Sequence, residues 1–133
     1  MDTQNKTQRG IKFRAWYREG KCWLDSVCIF GDGSWYGSLI GENGIEVEGY
    51  DERECELMQY TGLLDKNRKE IYEGDIVIGF PTGNQPAIVD FAHGAFMTYW
   101  KARNEWRWLY QPTYVWEVIG NIWENPGLLE RHA

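Results

Sequence analysis

The stretch KEIYEGDIV, residues 69 to 77, joins a charged segment to an apolar run through a Gly-Asp step. Gly74 allows the backbone to turn sharply, and the side chain of Asp75 can accept hydrogen bonds from nearby backbone amides. The apolar run begins with Ile76 and Val77, which are β-branched and favour a strand. The stretch therefore predicts a sharp turn that leads the chain into a β-sheet.

The same part of the chain holds carboxylates that could instead form an acid/base pair or a cation site. It lacks the alternating oxygen ligands and the central glycine of an EF-hand loop, so a calcium site is a weak interpretation. A metal-dependent hydrolase or nuclease is kept as a minor alternative. Its candidate residues are Glu70, Glu73, Asp75 and Asp90.

The surrounding sequence alternates between apolar and polar residues, as half-buried strands do. IKFRAWYR at 11–18 is the first such segment, and Asn43-Gly44 is a good hairpin signal. Only DERECELMQ at 51–59 could hold a helical turn. Six further strand signals fall at close spacing between 58 and 123, which is typical of a small barrel or sandwich.

These signals predict a mostly all-β protein with little helix, built around an SH3-like small barrel. The predicted divisions are a flexible N-terminus (1–10), an N-terminal β extension (11–57), the barrel module (58–125) and a C-terminal tail (126–133). Gly120 allows a bulge or a close approach in the last strand. We assign a structural role to Gly74, Asp75, Gly120 and Asn121.

The composition excludes general disorder, because 43% of the residues are hydrophobic and 16% are aromatic. No apolar run approaches 18 residues and the first ten residues lack the apolar region of a signal peptide, so we expect a cytoplasmic protein without a membrane segment. Cys22, Cys28 and Cys55 are odd in number and lack C-x-x-C spacing. They predict reduced thiols and neither a disulfide framework nor a zinc site.

Catalytic motifs are missing from the sequence. It has two histidines, His93 in the AHGA turn and His132 near the end, and neither a nucleophile elbow nor a P-loop nor a dinucleotide fingerprint. We therefore expect a protein that is not an enzyme and that holds no cofactor and no metal.

Four segments carry a family resemblance: IKFRAW (11–16), LMQYTGLLDKNRKEIYEGDIV (57–77), VDFAHGAF (89–96) and EVIGNIWENPGLL (117–129). In this order and wording they resemble the YopX family of bacteriophage and prophage proteins. Arg68 departs from the usual glycine in the DKNRK turn, which would place a non-glycine residue at positive φ. The resemblance implies a mostly β fold and action in a bacterial host's cytoplasm, and it implies no established biochemical activity.

Basic and aromatic residues alternate in two places, YWKARNEWRWLY (99–110) and the strand at 12–18. If Trp106, Trp108 and Tyr110 share a face, they could form a base-stacking platform, or they could belong to the core or to an oligomer interface. The net charge of −6 disfavours general nucleic-acid binding, because phosphate contacts need lysine and arginine. The candidate binding residues are Arg14, Trp16, Arg18, Trp100, Lys101, Arg103, Trp106, Arg107 and Trp108.

The sequence thus favours a non-enzymatic protein-binding or assembly module that forms a homo-oligomer, with a phage or host protein as a further partner. A nucleic-acid-binding module that uses 99–110 and 12–18 is the alternative. The two differ in salt dependence, because phosphate binding weakens steeply with salt and an aromatic protein interface does not.

Overall fold

The computed structural model describes residues 10–79, 83–109 and 115–130 of the 133-residue chain. Its strands are β1 (Phe13–Tyr17), β2 (Cys22–Trp23), β3 (Ser26–Ile29), β4 (Trp35–Ile40), β5 (Glu46–Asp51), β6 (Cys55–Leu64), β7 (Glu70–Tyr72), β8 (Asp75–Gly79), β9 (Gly83–Ala92), β10 (Ala95–Trp100), β11 (Glu105–Trp108) and β12 (Trp116–Asn121). Short 3-10 turns cover Lys101–Arg103 and Pro126–Leu129. Strand makes up 59% and helix 7%, which confirms the predicted mostly β class.

The strands form three antiparallel sheets. One has four strands in the order β2-β1-β6-β7, one has five in the order β11-β10-β9-β8-β12, and one has three in the order β3-β4-β5. The fold includes a curled sheet that forms a half barrel. Consecutive strands are neighbours in the five-stranded sheet from β8 to β11, and β12 returns to pair with β8.

Two apolar clusters join the sheets. The larger packs Ile71 of β7 against residues of the five-stranded sheet, among them Val77, Val89 and Trp116, each at most 2% exposed. The smaller lies between the four-stranded and three-stranded sheets and contains Ala15, Leu24, Trp35 and Cys55. Burial of large apolar side chains from different sheets supplies most of the stability of such a fold.

The turn at Gly74 separates β7 from β8 and sends them into different sheets. Gly74 has φ of 85°, in the left-handed region that glycine adopts without strain. Asp75 starts β8, and one of its carboxylate oxygens accepts a hydrogen bond from the backbone N–H of Tyr72 at 2.8 Å. The Gly-Asp step of KEIYEGDIV therefore directs the chain from one sheet to the other.

The helical turn predicted within 51–59 is wrong. Residues 52–54 form a turn and β6 begins at Cys55. β6 pairs with β1 through residues 55–59 and with β7 from Tyr60 onward, and the ladder hydrogen bonds to β1 outweigh the weak helix propensity of the segment 51–59.

The chain changes sheets between β2 and β3, since β2 belongs to the four-stranded sheet and β3 to the three-stranded sheet. The division into an extension and a barrel module stays a prediction, and its boundary at 57/58 lies within β6.

Side-chain hydrogen bonds stabilise the turn between β6 and β7, which contacts β12, and the turn that follows β12. Asp65 accepts hydrogen bonds from the backbone N–H groups of Asn67, Lys69 and Val118, and Arg68 in this turn has φ of 67°. In β12 the register shifts at Gly120, which is a bulge. The Asn121 side chain then accepts hydrogen bonds from the N–H groups of residues 123 and 124.

Within the described residues, no helix has the length and apolar character that crossing a membrane would require.

Candidate protein-interaction surface

The hairpin of β10 and β11 carries an exposed aromatic surface. Trp106 pairs with Tyr99 and Trp108 pairs with Met97. Because side chains alternate between the two faces of a strand, Trp106 and Trp108 share one face and Arg107 lies on the other. The exposed fraction is 37% for Trp106 and 59% for Trp108.

Two ring contacts position Trp106. The Tyr99 ring lies 4.7 Å away at a tilt of 42°, and the His93 ring meets it edge-on at 5.6 Å. His93 and Gly94 both have positive φ in the two-residue turn between β9 and β10, as a tight hairpin turn requires. We call His93, Tyr99, Trp106 and Trp108 the aromatic edge surface.

The basic residues of the same segment do not join this surface. The guanidinium groups of Arg103 and Arg107 lie 4.9 Å and 5.5 Å from the ring of Trp100. Trp100 itself is 5% exposed and belongs to the larger apolar cluster, so it packs in the core. Arg107 also forms an ion pair with Glu105 at 2.6 Å. Lys101 is exposed in the 3-10 turn, and Tyr110 lies outside the described residues.

The second basic stripe, on β1, is neutralised within the chain. Lys12 pairs with Glu70, Arg14 with Asp75 and Arg18 with Glu56. Each phosphate contact from this stripe would therefore compete with an existing carboxylate partner. The stripe offers little free positive charge to a nucleic acid.

Trp16, the aromatic residue of that stripe, is 6% exposed. Its ring packs edge-on against Trp23 at 4.9 Å and stacks with Trp123 at 6.5 Å. Trp16 therefore packs β1 against β2 and against the segment that follows β12. This placement corrects the expectation of an exposed basic and aromatic face at 12–18.

The carboxylates of the hydrolase alternative have separate partners. Glu70 and Asp75 are engaged by Lys12 and Arg14, and a Glu73 oxygen accepts a hydrogen bond from the backbone N–H of Gln59 at 2.8 Å. In the described part of the chain, no three His, Cys, Asp or Glu side chains are grouped to hold a metal ion. The geometry gives this alternative no support.

A cleft of about 160 Å³ lies beside Glu73, where β6, β9 and the segment after β12 meet. Glu56, Glu73 and Asp90 contribute carboxylates, and Met58 and Trp123 contribute apolar surface. Burial raises the pKa of Glu73, and the negative charge of Asp90 adds to this rise. The Glu73 carboxylate is therefore protonated more readily than an exposed glutamate would be.

A second set of exposed apolar side chains lies at the ends of the three-stranded sheet. Ile45 and Val47 are 63% and 66% exposed near the β4–β5 turn, and Phe30 is 52% exposed in the β3–β4 turn. Glu46 and Glu48 alternate with Val47 on β5, so apolar area is broken up by charge there. The aromatic edge surface is more continuous, since the rings of His93 and Tyr99 both contact Trp106 and the side chain of Trp108 lies on the same strand face.

β11 is an edge strand, because it pairs with β10 alone among the described strands. The N–H of Leu109 donates to the carbonyl of Phe96 at 3.3 Å, and the Thr98 hydroxyl donates to the carbonyl of Arg107. By the alternation of an antiparallel ladder, the backbone groups of Trp106 and Trp108 point away from β10. They have no backbone partner among the described residues. The exposed tryptophans therefore sit on a strand that can accept another strand.

Sequence reasoning identified Trp106 and Trp108 but missed His93 as their neighbour. The His-Gly turn signalled a hairpin, yet no local pattern says that its imidazole meets a ring on β11. It also missed that Arg14 pairs with a residue 61 positions away. Such contacts depend on how the sheets pack.

These features define a mostly β protein with a five-stranded sheet whose edge strand β11 carries exposed tryptophans. A family model described as YopX protein matches residues 12–130. The chain belongs to the YopX family, which confirms the resemblance. A search among curated proteins finds no match.

Solved structures support the same assignment. Protein EF1440 from Enterococcus faecalis is 26% identical with a TM-score of 0.59, and yopX from Bacillus subtilis is 22% identical with a TM-score of 0.62. Each comparison covers 92% of this chain and 99% of the other. The likeness therefore extends over most of the chain.

Proposed function

We propose that the protein is a non-enzymatic protein-binding module that self-associates through the aromatic edge surface. One observation carries the proposal: Trp108 is 59% exposed beside Trp106 on an edge strand. Tryptophan is enriched at the energetic centres of protein interfaces, because it buries a large rigid area at low entropic cost. An exposed patch of this kind favours a partner.

Charge favours a protein partner over a nucleic acid. The net charge is −6, the β1 cations are paired with carboxylates, and Arg107 is paired with Glu105. Nucleic-acid affinity rests on free lysine and arginine near phosphates, and at these four candidate positions a phosphate would compete with a carboxylate of the chain itself.

We further propose that the protein acts in the cytoplasm of a bacterial host as a phage or prophage product, with a phage or host protein as an additional partner. The resemblance to a phage and prophage family supports this setting. We also propose that the five-stranded sheet is an SH3-like small barrel. Its support is the strand order, in which four consecutive strands are followed by a last strand that pairs with the first.

The direct test is self-association as a function of protein concentration, measured by sedimentation equilibrium. Trp108→Ser should weaken association by about thirtyfold, as expected for loss of an interface hot spot worth about 2 kcal/mol. Phe30→Ser is the matched control, because it removes a similarly exposed aromatic ring from a different surface. It should leave association unchanged.

A native protein that stays monomeric throughout would overturn the proposal, as would a Trp108 variant that associates as well as the native chain. Titration of tryptophan fluorescence with single- and double-stranded oligonucleotides at two salt concentrations tests the alternative. We expect no saturable quenching. Quenching that weakens steeply with salt would replace the proposal by nucleic-acid binding.

A further inference from the structure

We propose that the partner at β11 is a second copy of this chain, paired antiparallel strand to strand with Trp106 opposite Trp106 of the second copy. The inference rests on the proposed self-association and specifies its geometry. It follows from three properties of β11: the direction of its backbone groups, the order of its charges and the position of its tryptophans.

The backbone determines which residues can pair. Glu105, Arg107 and Leu109 turn their hydrogen-bonding groups toward β10, as the Leu109 bond to Phe96 shows. Trp106 and Trp108 turn theirs outward. Two copies of Trp106 placed opposite each other would each donate an N–H to the other's carbonyl, which is the hydrogen-bonded pair of an antiparallel ladder.

The charges select the register. With Trp106 opposite Trp106, Glu105 of one copy faces Arg107 of the other, and the two-fold axis repeats this contact. Opposite charges facing each other across two strands are stabilising, and like charges are destabilising. β11 is therefore complementary to itself in this register.

The nearest alternative register places Trp106 opposite Trp108. It also satisfies the outward backbone groups, but it brings Arg107 directly against Arg107 of the second copy. This repulsion lies on the face where Arg107 stands over Trp100. The first register avoids it.

The aromatic rings lie on the opposite face and add to the same contact. An antiparallel pairing about a two-fold axis keeps each face continuous, so the Trp106 rings of both copies would meet on the face that carries Tyr99 and Trp108. A pairing through one four-residue strand buries a small area, so we expect a weak dimer.

Charge exchange between two variants tests the register. Arg107→Glu and Glu105→Arg each place like charges opposite each other in the self-paired dimer, and each should weaken self-association by about tenfold or more. An equimolar mixture of the two variants restores both opposite-charge contacts in a heterodimer. Sedimentation equilibrium of each variant and of the mixture, up to about 1 mM, would measure this.

Arg103→Glu is the matched control. It makes the same change in charge beside the same Trp100 ring, but Arg103 lies in the 3-10 turn before β11 and so outside the proposed strand pairing. It should self-associate as the native chain does.

The inference holds if both single variants are weakened and the mixture regains native association. It fails, while the proposed function stands, if Trp108→Ser weakens association but the charge variants do not, because the copies then meet through another geometry. An Arg107→Glu variant that dimerises normally would point to the Trp106–Trp108 register and overturn the one proposed. A monomeric native protein would overturn both.

Discussion

Arg14 of β1 donates a hydrogen bond to the carboxylate of Asp75 of β8 at 2.8 Å and so links the four-stranded sheet to the five-stranded sheet. The Arg14 guanidinium lies between the rings of Trp23 and Tyr72, at 4.4 Å and 4.7 Å. The Asp75 side chain is 3% exposed. The Gly-Asp step of KEIYEGDIV therefore ends in a buried ion pair between sheets.

Replacing Arg14 by leucine should lower the free energy of unfolding by about 3 kcal/mol at pH 7, because the buried Asp75 charge loses its cation. Burial already raises the pKa of Asp75 against the opposing effect of Arg14. Loss of Arg14 raises this pKa further, so protonation becomes easier and the destabilisation should shrink toward acid pH. Urea unfolding at pH 7 and pH 4 measures both values.

Arg14→Lys is the control, because it keeps the positive charge and removes only the stacking of the guanidinium on the two rings. If Arg14→Leu lowered the free energy of unfolding equally at both pH values, the electrostatic explanation would be contradicted.

Glu73→Gln should raise the free energy of unfolding at pH 7. The pKa of Glu73 is raised by burial above its ordinary value of 4.5, so its favourable contribution is present below 4.5 and is lost as the pH rises through the raised pKa. Glutamine keeps an oxygen for the Gln59 N–H and carries no charge. The increase in the free energy of unfolding caused by Glu73→Gln should therefore vanish below about pH 4.5.

Thermal unfolding from pH 4 to pH 8 tests this profile. Glu19→Gln, at an exposed site, is the control for the change in net charge. A gain that is the same at every pH would show that ionisation of Glu73 is not its cause.

Gly74→Ala should destabilise the protein by about 2–3 kcal/mol, since alanine at positive φ is strained and its Cβ would lie 3.0 Å from the Met58 sulfur. Gly94→Ala provides the matched comparison. Gly94 has φ of 79° with open space around the Cβ position. Gly94→Ala should therefore destabilise the protein by about 1 kcal/mol, and this value reports the backbone strain at positive φ without a steric contact. Denaturant unfolding of both variants gives the difference, and equal costs would mean that Met58 moves aside freely.

Cys55 should resist thiol reagents in the native state. Burial raises the pKa of its thiol to about 11, and the side chain belongs to the smaller apolar cluster. The thiolate is the reactive form, so its population at pH 8 is small. Cys28 is exposed and should react first.

A colorimetric thiol assay at pH 8 in a Cys22→Ser background, with and without denaturant, separates Cys28 from Cys55. Cys28→Ser should remove the fast phase, while Cys55 should react only after unfolding. Fast labelling of Cys55 in the native protein would show that β6 opens locally.

Local sequence determined the strand content and most turns, because alternation and turn chemistry act over a few residues. Gly74 and Gly94 have the positive φ that their turns require, and Gly120 lies at the register shift of β12, where the Asn125 side chain approaches too closely for a Cβ. The helical expectation for 51–59 failed because helix propensity is weak compared with the pairing of residues 55–59 with β1.

For the candidate surface as well, the sequence determined some features and the tertiary structure determined others. The sequence by itself determined that aromatic and basic residues alternate over 99–110, which places Trp106 and Trp108 on one face of a strand. Only the tertiary structure decided that Trp100 and Trp16 are buried, that Lys12, Arg14 and Arg18 are paired with carboxylates, and that β11 lies at an edge. The physical reason is that periodicity fixes the face of each side chain, whereas burial and charge pairing depend on which distant strand packs against that face.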